Sequence, residues 1–448
     1  MKRELVSQTL EIAPAAPTLK QAFWYWLKLG FISFGGPAGQ IAIMHKDLVE
    51  DRRWISEKRF LHALNYCMVL PGPEAQQLAT YIGWLMHKTR GGLLAGGLFV
   101  LPSLLILMAL SYIYMRFGDV PAVAGVLYGV KPAVVAIVLF AAYRIGSRAL
   151  KNKALWAIAF ASFCAITALK LPFPLIILVA ALIGYLGNRF APNIFSDKNV
   201  HKANQKAYGK AVIDDDTPTP VHAHFSWRKF SQFLLIGIVI WLVGMAVLTT
   251  FYGWGAIYAQ MAWFFTKAAL LTFGGAYAVL PYVYQGVVTH YDWLTPTQMM
   301  DGLALGETTP GPLIMVVAFV GFVGGWQHTA LYSPLDSAII AACVVTFIIF
   351  LPSFIFIFMG APFIESTKNN LNLTAPLNAI TAAVVGVIVA LALFFALHVF
   401  WPDQISIDWL AMLAAMLGFI ALFKFKLSTI KLIGAFALLG LVHSFVPA

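Results

Sequence analysis

Charge is scarce in this chain: 11% of its 448 residues are charged, against roughly 25% in an ordinary soluble domain. Acidic residues are the scarcest, with Asp+Glu 19 beside Lys+Arg 30, a net charge of +11. The three cysteines, Cys67, Cys164 and Cys343, are too few and too scattered for a disulfide framework or a thiolate metal cluster. His201, His222 and His224 show no ligand spacing, and no nucleophile–base set appears, so an enzyme finds no support and no metal or cofactor is implied. The first 20 residues are polar, include Pro14 and Pro17, and lack the apolar stretch of a cleavable signal peptide.

What is abundant is apolar. Hydrophobic residues make up 60% of the chain and mean hydropathy is +0.80. No soluble chain could cover that surface, which excludes a cytosolic enzyme, a disordered chain and a nucleic-acid binder. The basic excess falls between long apolar runs, so its meaning is topological. A spanning helix needs about 20 mostly apolar residues. The segments 92–115, 121–143, 172–190, 231–252, 337–360 and 375–399 qualify, with shorter ones at 154–170, 407–423 and 428–446. Four more apolar stretches, 22–44, 60–86, 261–283 and 302–325, are interrupted by Gly and Pro. The fold class is an all-α polytopic membrane protein.

The chain repeats itself. A shift of 239 residues places Trp24 on Trp263, Lys28 on Lys267 and Ser33 on Thr272. It also places Phe34-Gly35-Gly36 on Phe273-Gly274-Gly275, and Pro71-Gly72-Pro73 on Pro310-Gly311-Pro312. Beyond residue 336 the shift becomes 250, and Leu101-Pro102-Ser103 meets Leu351-Pro352-Ser353. Charge then separates the copies. Loops 45–59, 87–91 and 144–153 carry five, two and four Lys/Arg, while their counterparts 284–300, 326–336 and 400–408 carry none. Loops rich in Lys and Arg stay cytoplasmic, so the repeats are expected to be inverted. The expected organisation is repeat 1–190, a polar cytoplasmic linker at 191–230 read as mobile, a connecting helix at 231–255, and an inverted repeat at 256–448. Basic loops on both sides of 60–86 favour a re-entrant hairpin over a kinked span. If none of the four interrupted stretches crosses the membrane the count is nine segments, and if all do it is 13. Either count puts the N-terminus inside and the C-terminus outside.

Broken backbone inside a bilayer must be buried in protein or line water, because lipid cannot satisfy freed N–H and C=O groups. Matched breaks in inverted repeats point to a transporter's binding site. Half-helices starting after Gly-Gly or Pro-Gly-Pro would aim amides and positive dipole ends at an anion; Pro73 and Pro312 suit a first helical position. Lys28 and Lys267, seven residues before each Gly-Gly, cost about 2.5–3.5 kcal/mol at membrane depth. They are read as two ammonium groups about one small dianion, with Ser33 and Thr272 donating hydroxyls, or else as snorkelling side chains. Glu74 and Glu307 break the symmetry. Glu307, beside Thr308-Thr309, is the better candidate for coupling, and Gln76 and Gln77 are read as cavity-lining.

The runs LGFISFGGPAGQ, DRRWISEKRF, LPGPEAQQLATYIG and LFVLPS resemble the first half of the chromate ion transporter family. LLTFGGAYAVLP and TTPGPL resemble its second half. The resemblance covers nearly the whole chain and implies export of chromate across the bacterial inner membrane, conferring resistance, with sulfate as an analogue. Its motif residues fall on Gly35, Gly36, Pro37, Pro71, Gly72 and Pro73, then on Gly274, Gly275, Pro310, Gly311 and Pro312. Ala276 departs from the pattern, standing where Pro37 has its counterpart. The partners expected are a small inorganic dianion and the lipid bilayer, with no nucleic acid and a homodimer left open. A proton-coupled oxyanion importer and an anion channel stay open beside the exporter.

Overall fold

The computed structural model describes residues 13–34, 36–190, 208–218, 220–273, 275–329, 333–366, 374–402 and 406–445. Among these, sixteen α-helices carry the fold and no strand is formed; one isolated bridge joins Ile55 and Ile213. Repeat 1 comprises α1 (Leu19–Ile32), α2 (Gly36–His45), α3 (Glu57–Val69), α4 (Glu74–Phe117), α5 (Pro121–Ala149), α6 (Lys153–Thr167) and α7 (Phe173–Phe190). The connecting helix α8 (Trp227–Tyr252) follows. Repeat 2 comprises α9 (Ile257–Leu271), α10 (Ala276–Tyr284), α11 (Pro296–Thr308), α12 (Val316–Gln327), α13 (Pro334–Ser366), α14 (Thr374–Phe400), α15 (Trp409–Phe423) and α16 (Thr429–His443).

The copies agree to fine detail. A π-helical turn follows α2 at Lys46–Asp51 and α10 at Gln285–His290. Ser56 caps α3 and Thr295 caps α11, each hydroxyl accepting a backbone N–H three residues on. α4 is two helices joined by a sharp turn at His87 and Lys88, where Lys88 takes φ 57°. Its arms fold back on each other through Gly83, Gly91 and Gly96, which leave no room for a side chain. In repeat 2, α12 and α13 form the same hairpin through Gly321 and Gly325. Pro73 and Pro312 both stand one residue earlier than expected, at the N-cap positions before Glu74 and Leu313.

The hairpins of repeat 1 return to the face they start from. At the base of α3, Ser56 bonds to Ile213 and Asp215 of the linker, and at the far end of the returning arm Trp84 C=O accepts from His222. Both ends of 57–86 therefore reach the same segment, on the same face. α1 and α2 also start and finish there, since His87 bonds Pro17 C=O and His45 pairs with Glu57. The described part of the linker, 208–218 and 220–226, is docked rather than free. It pairs backbone with Arg53 and Trp54 and buries Ala223 completely. Burial also holds the His222 imidazole below its usual pKa, so the neutral ring donates to Trp84 C=O.

The long helices establish the inversion. Gly92 of α4 lies against Phe358 of α13, and Gly96 against Phe354. Farther along α4, Leu104 and Met108 pack on the cluster of Phe322, Ala338 and Ala342. These equivalent helices thus cross antiparallel, and a two-fold axis does that only if it lies in the membrane plane. Six helices, α4, α5, α7, α8, α13 and α14, are long and apolar enough to span. The shorter apolar helices α6, α15 and α16 run between the same two faces as α5. α6 leads to Leu171 beside Gln285 on the opposite face, and α15 runs from beside Asp408 to Phe423 against Tyr143. α16 ends with His443 against Tyr128. Among the described residues these three with the six long helices make nine helices that run from face to face, four per repeat and α8.

The helices sort into two bodies. α1–α4 and α8–α13 form a core about the crossing of α4 and α13. α5–α7 and α14–α16 form a second unit by exchange: α5 packs on α15 and α16, and α14 packs on α6 and α7.

Candidate functional site

The four breaks meet on the two-fold axis. Gly72 N–H donates to Thr272 C=O at 2.7 Å, and Gly311 N–H donates to Ser33 C=O at 2.8 Å. These bonds are images of one another, each joining the Pro-Gly-Pro of one repeat to the residue ahead of Phe-Gly-Gly in the other. Gly72 and Gly311 take φ 132° and 106°. A Cβ at Gly311 would lie 2.7 Å from that of Ser103, and one at Gly72 would strike Ser353. Backbone direction and close approach together require glycine here.

Polar side chains gather around this junction. Gln40 is 1% exposed and donates to Gly311 C=O at 2.6 Å and Ser33 C=O at 3.3 Å. Gln77 donates to Pro71 C=O at 2.8 Å, and Gln76 donates to Thr80 at 3.1 Å. Five buried atoms there, Ser33 Oγ, Ser103 Oγ and the Oε1 atoms of Gln40, Gln76 and Gln77, have no hydrogen-bond partner among the described residues. Buried polar atoms are seldom left so.

The structure therefore brings together Ser33, Thr272, Pro71, Gly72, Pro73, Pro310, Gly311, Pro312, Gln76 and Gln77. Gly36 and Pro37 open α2, and Gly275 caps α10; Gly35 and Gly274 lie outside the described residues. Glu74 sits half-buried in the first turn of α4, where its charge complements the helix end. Thr308 and Thr309 turn their hydroxyls back onto Leu305 and Gly306 C=O and do not offer them to the junction.

The two lysines do not converge. Lys28 is exposed on the outer side of α1. Lys267 Nζ lies 5.6 Å from the Trp263 ring and lines a cavity of about 360 Å³ with Gln285, His290 and Tyr291. That cavity opens on the face opposite the linker. An axis in the membrane plane carries any residue off the axis into the other half of the bilayer, so equivalent lysines are separated by the symmetry that relates them.

Two functional candidates escape sequence reasoning. Gln40 stands one turn after the first Gly-Gly, a polar residue in an otherwise apolar half-helix. Asp301, 3% exposed, accepts from Tyr114 at 3.0 Å and lies in the field of Lys131; a carboxylate inside an apolar stretch was the available signal. Six residues on, Glu307 accepts from Tyr277 and lies in the field of Arg144.

Burial departs from the two-fold. All nine residues of α10 are buried, whereas only Gln40 and Met44 of the ten in α2 are. Asn65 and Met68 of α3 are exposed, while their counterparts Ala304 and Glu307 are buried and half-buried. The cause is the second unit, whose extensive contacts with the core fall on α10 and α11 and not on α2 and α3.

The family described as "Chromate transporter" matches residues 20–185 and 259–441, leaving out the linker and α8. A chromate transport protein of Pseudomonas aeruginosa is 32% identical over 434 residues, covering 96% of this chain and 94% of that protein. One from Cupriavidus metallidurans is 30% identical over 431 residues, 95% of this chain and 93% of that protein. An uncharacterized transporter of Bacillus subtilis is 31% identical over 120 residues, 27% of this chain but 67% of that shorter protein. No solved structure matches the chain.

Proposed function

Because the chain belongs to the chromate transporter family, we propose that it carries chromate out of the bacterial cell across the inner membrane, by alternating access to the junction of its four breaks. The observation that carries the reading is the unequal burial of equivalent hairpins. Asn65 stands on the uncovered face of α3, a polar group that lipid does not satisfy, so we read that face as open to water on the linker side. An inverted repeat supplies the other state by exchanging the environments of its halves. α3 would then be covered by α14 and α7, as α11 is covered now by α5 and α16.

At the junction, half-helix N-termini present amides and dipole ends to the dianion. Ser33 and Ser103 offer unpaired hydroxyls from a buried position. Gln40, Gln76 and Gln77 supply amide groups that can reorient. Lys28 and Lys267 serve the approaches, one on each face, instead of a shared centre. On this reading the linker face, rich in Lys and Arg, is the cytoplasmic one and the end of α16 lies outside. Export needs no coupling ion. A charge crossing 100 mV is worth about 2.3 kcal/mol, so a dianion leaving a negative interior gains about twice that, roughly three decades of gradient. Proton-coupled uptake of an oxyanion such as sulfate is the second reading, favoured by the two carboxylates of α11.

Liposomes holding the purified protein with chromate on the linker side, clamped negative there, should lose chromate faster than protein-free liposomes, with sulfate competing. Equal release from both overturns the proposal. Counterflow of labelled chromate separates a carrier, which shows it, from a channel, which does not.

A further inference from the structure

The cavity beside Lys267 is walled by two bodies. α9, Tyr282 of α10 and the π-helical turn Gln285–His290 line it from the core, while Pro172 and Pro174, at the start of α7, line it from the second unit. Contacts across this seam are direct: Phe173 N–H donates to Gln285 Oε1 at 3.2 Å, and Gln285 Nε2 donates to Leu171 C=O at 3.4 Å. The volume of about 360 Å³ falls in the range of small-molecule sites, about 300–1,000 Å³. Its deep end approaches the junction, because Lys267 stands five residues before Thr272, about 7–8 Å along α9.

The lining has one sign of charge. Lys267 has no carboxylate partner among the described residues; its ammonium rests 5.6 Å from the Trp263 ring. A cation at membrane depth is normally answered by an opposite charge. No carboxylate lines this cavity among the described residues, and Asp292, next to Tyr291, is exposed and stands outside it. Two phenols are held rigidly in the wall: Tyr282 stacks on Phe264 at 4.9 Å and Tyr291 on Trp293 at 4.4 Å. The hydroxyls of Tyr282, Thr289 and Tyr291 have no hydrogen-bond partner among the described residues and are free to donate. Repeat 1 differs in kind. It has Lys28, Lys46 and Arg52 at the places of Lys267, Gln285 and Tyr291, but Asp47, Glu50 and Asp51 at those of Gly286, Thr289 and His290. Three cations there are balanced by three carboxylates, whereas repeat 2 leaves Lys267 unanswered.

We infer that this cavity is a second anion site, separate from the junction, that takes a tetrahedral oxyanion from the face opposite the linker. Lys267 supplies the charge and the free hydroxyls supply the donors. The volume leaves room for part of the anion's hydration shell, so binding is weak and exchange fast. An anion held there lies between the core and the second unit, beside the bonds of Gln285 that join them. The inference needs neither transport nor a direction of transport, and chromate flux in liposomes tests those separately.

The test reads occupancy at the cavity mouth. In a background with Cys67, Cys164 and Cys343 replaced by Ser, a single cysteine goes in as T289C, and a membrane-impermeant maleimide measures its reactivity. Sulfate is the probe, because chromate oxidises thiols. Chloride at equal ionic strength controls for screening. Sulfate at ten times its dissociation constant should slow labelling about tenfold relative to chloride. K267Q should abolish that ratio, K267R should keep it, and Y282F with Y291F, which keep the stacked rings, should weaken it by less than K267Q does. P174C, across the seam, gives the same reading should T289C not fold. The measurement is made in maltoside micelles, which hold no phosphate, and in phospholipid vesicles labelled from the face opposite the linker. Protection in vesicles without sulfate, lost in micelles and in K267Q, identifies a lipid phosphate as the oxyanion; protection that follows sulfate in both identifies a free one. Equal labelling in sulfate and chloride with no difference between micelles and vesicles overturns the site, and protection that survives K267Q overturns the role of Lys267.

Discussion

The two halves of this chain are built from one plan and treated unequally. On the axis they are nearly identical: the same glycines donate to equivalent carbonyls, at 2.7 and 2.8 Å, beside equivalent hydroxyls. One turn away they diverge. Repeat 1 places Gln40, Gln76, Gln77 and Thr80 where repeat 2 has Val279, Met315, Val316 and Phe319, and repeat 2 alone carries Asp301 and Glu307. Symmetry thus supplies the geometry of the junction. Asymmetry supplies its polar lining on one side and its charge on the other. On the alternating-access reading the two states are related by the repeat but not equivalent, because its halves have diverged.

The largest effects are expected on the axis, where the halves agree. Gly72→Ala and Gly311→Ala each force a Cβ into left-handed backbone, a strain of about 1–3 kcal/mol, and each adds a collision with the other repeat's serine. Both variants should lose chromate transport in liposomes and unfold at lower temperature. If one keeps transport while the other loses it, the junction is not the shared element that its geometry suggests.

Smaller effects should fall where the halves differ. Gln40→Leu removes the donor to Gly311 C=O and leaves that carbonyl buried and unpaired, at about 1–3 kcal/mol; transport should drop roughly tenfold. Val279→Ala, at the equivalent position, removes only methyl groups from a packed site and should change transport less than Gln40→Leu does. Flux and thermal unfolding measured on both would show whether polarity in repeat 1 matters beyond packing.

Much of this architecture was legible in the sequence, and the legible part has a physical signature. Gly and Pro at a constant offset exposed the repeat because they constrain backbone, which apolar side chains do not. Lys and Arg exposed the inversion and the re-entrant hairpins because charge records which face a loop occupies. The exchanged packing of α5 with α15 and α16 left no trace, since a helix apolar all round does not say which side meets protein and which meets lipid. Docking of the linker was hidden for a different reason. Its hold on Arg53 and Trp54 is made by backbone pairing, to which composition is blind. Equivalence of Lys28 and Lys267 was read as proximity, and under an in-plane axis only residues close to that axis, such as Ser33 and Thr272, become neighbours.

The mildest effect is expected at those two lysines, and it separates proximity from equivalence. Were both ammonium groups around one dianion, either Lys→Gln change would abolish binding and the double variant would lose no more than a single one. Placed on opposite approaches, they act independently. Lys28→Gln should raise the KM for chromate offered from the linker face, and Lys267→Gln the KM for chromate offered from the other, each by about two- to fivefold. Both effects should shrink as salt screens the approach. Sites that share no partner add their free energies, so the double variant should show both losses, each on its own face, with kcat little changed. Sided uptake in oriented vesicles at low and high ionic strength decides it. A collapse of transport in either single variant would place that ammonium group on the bound anion, and with it the resting geometry of α1 or α9 would have to change during the cycle.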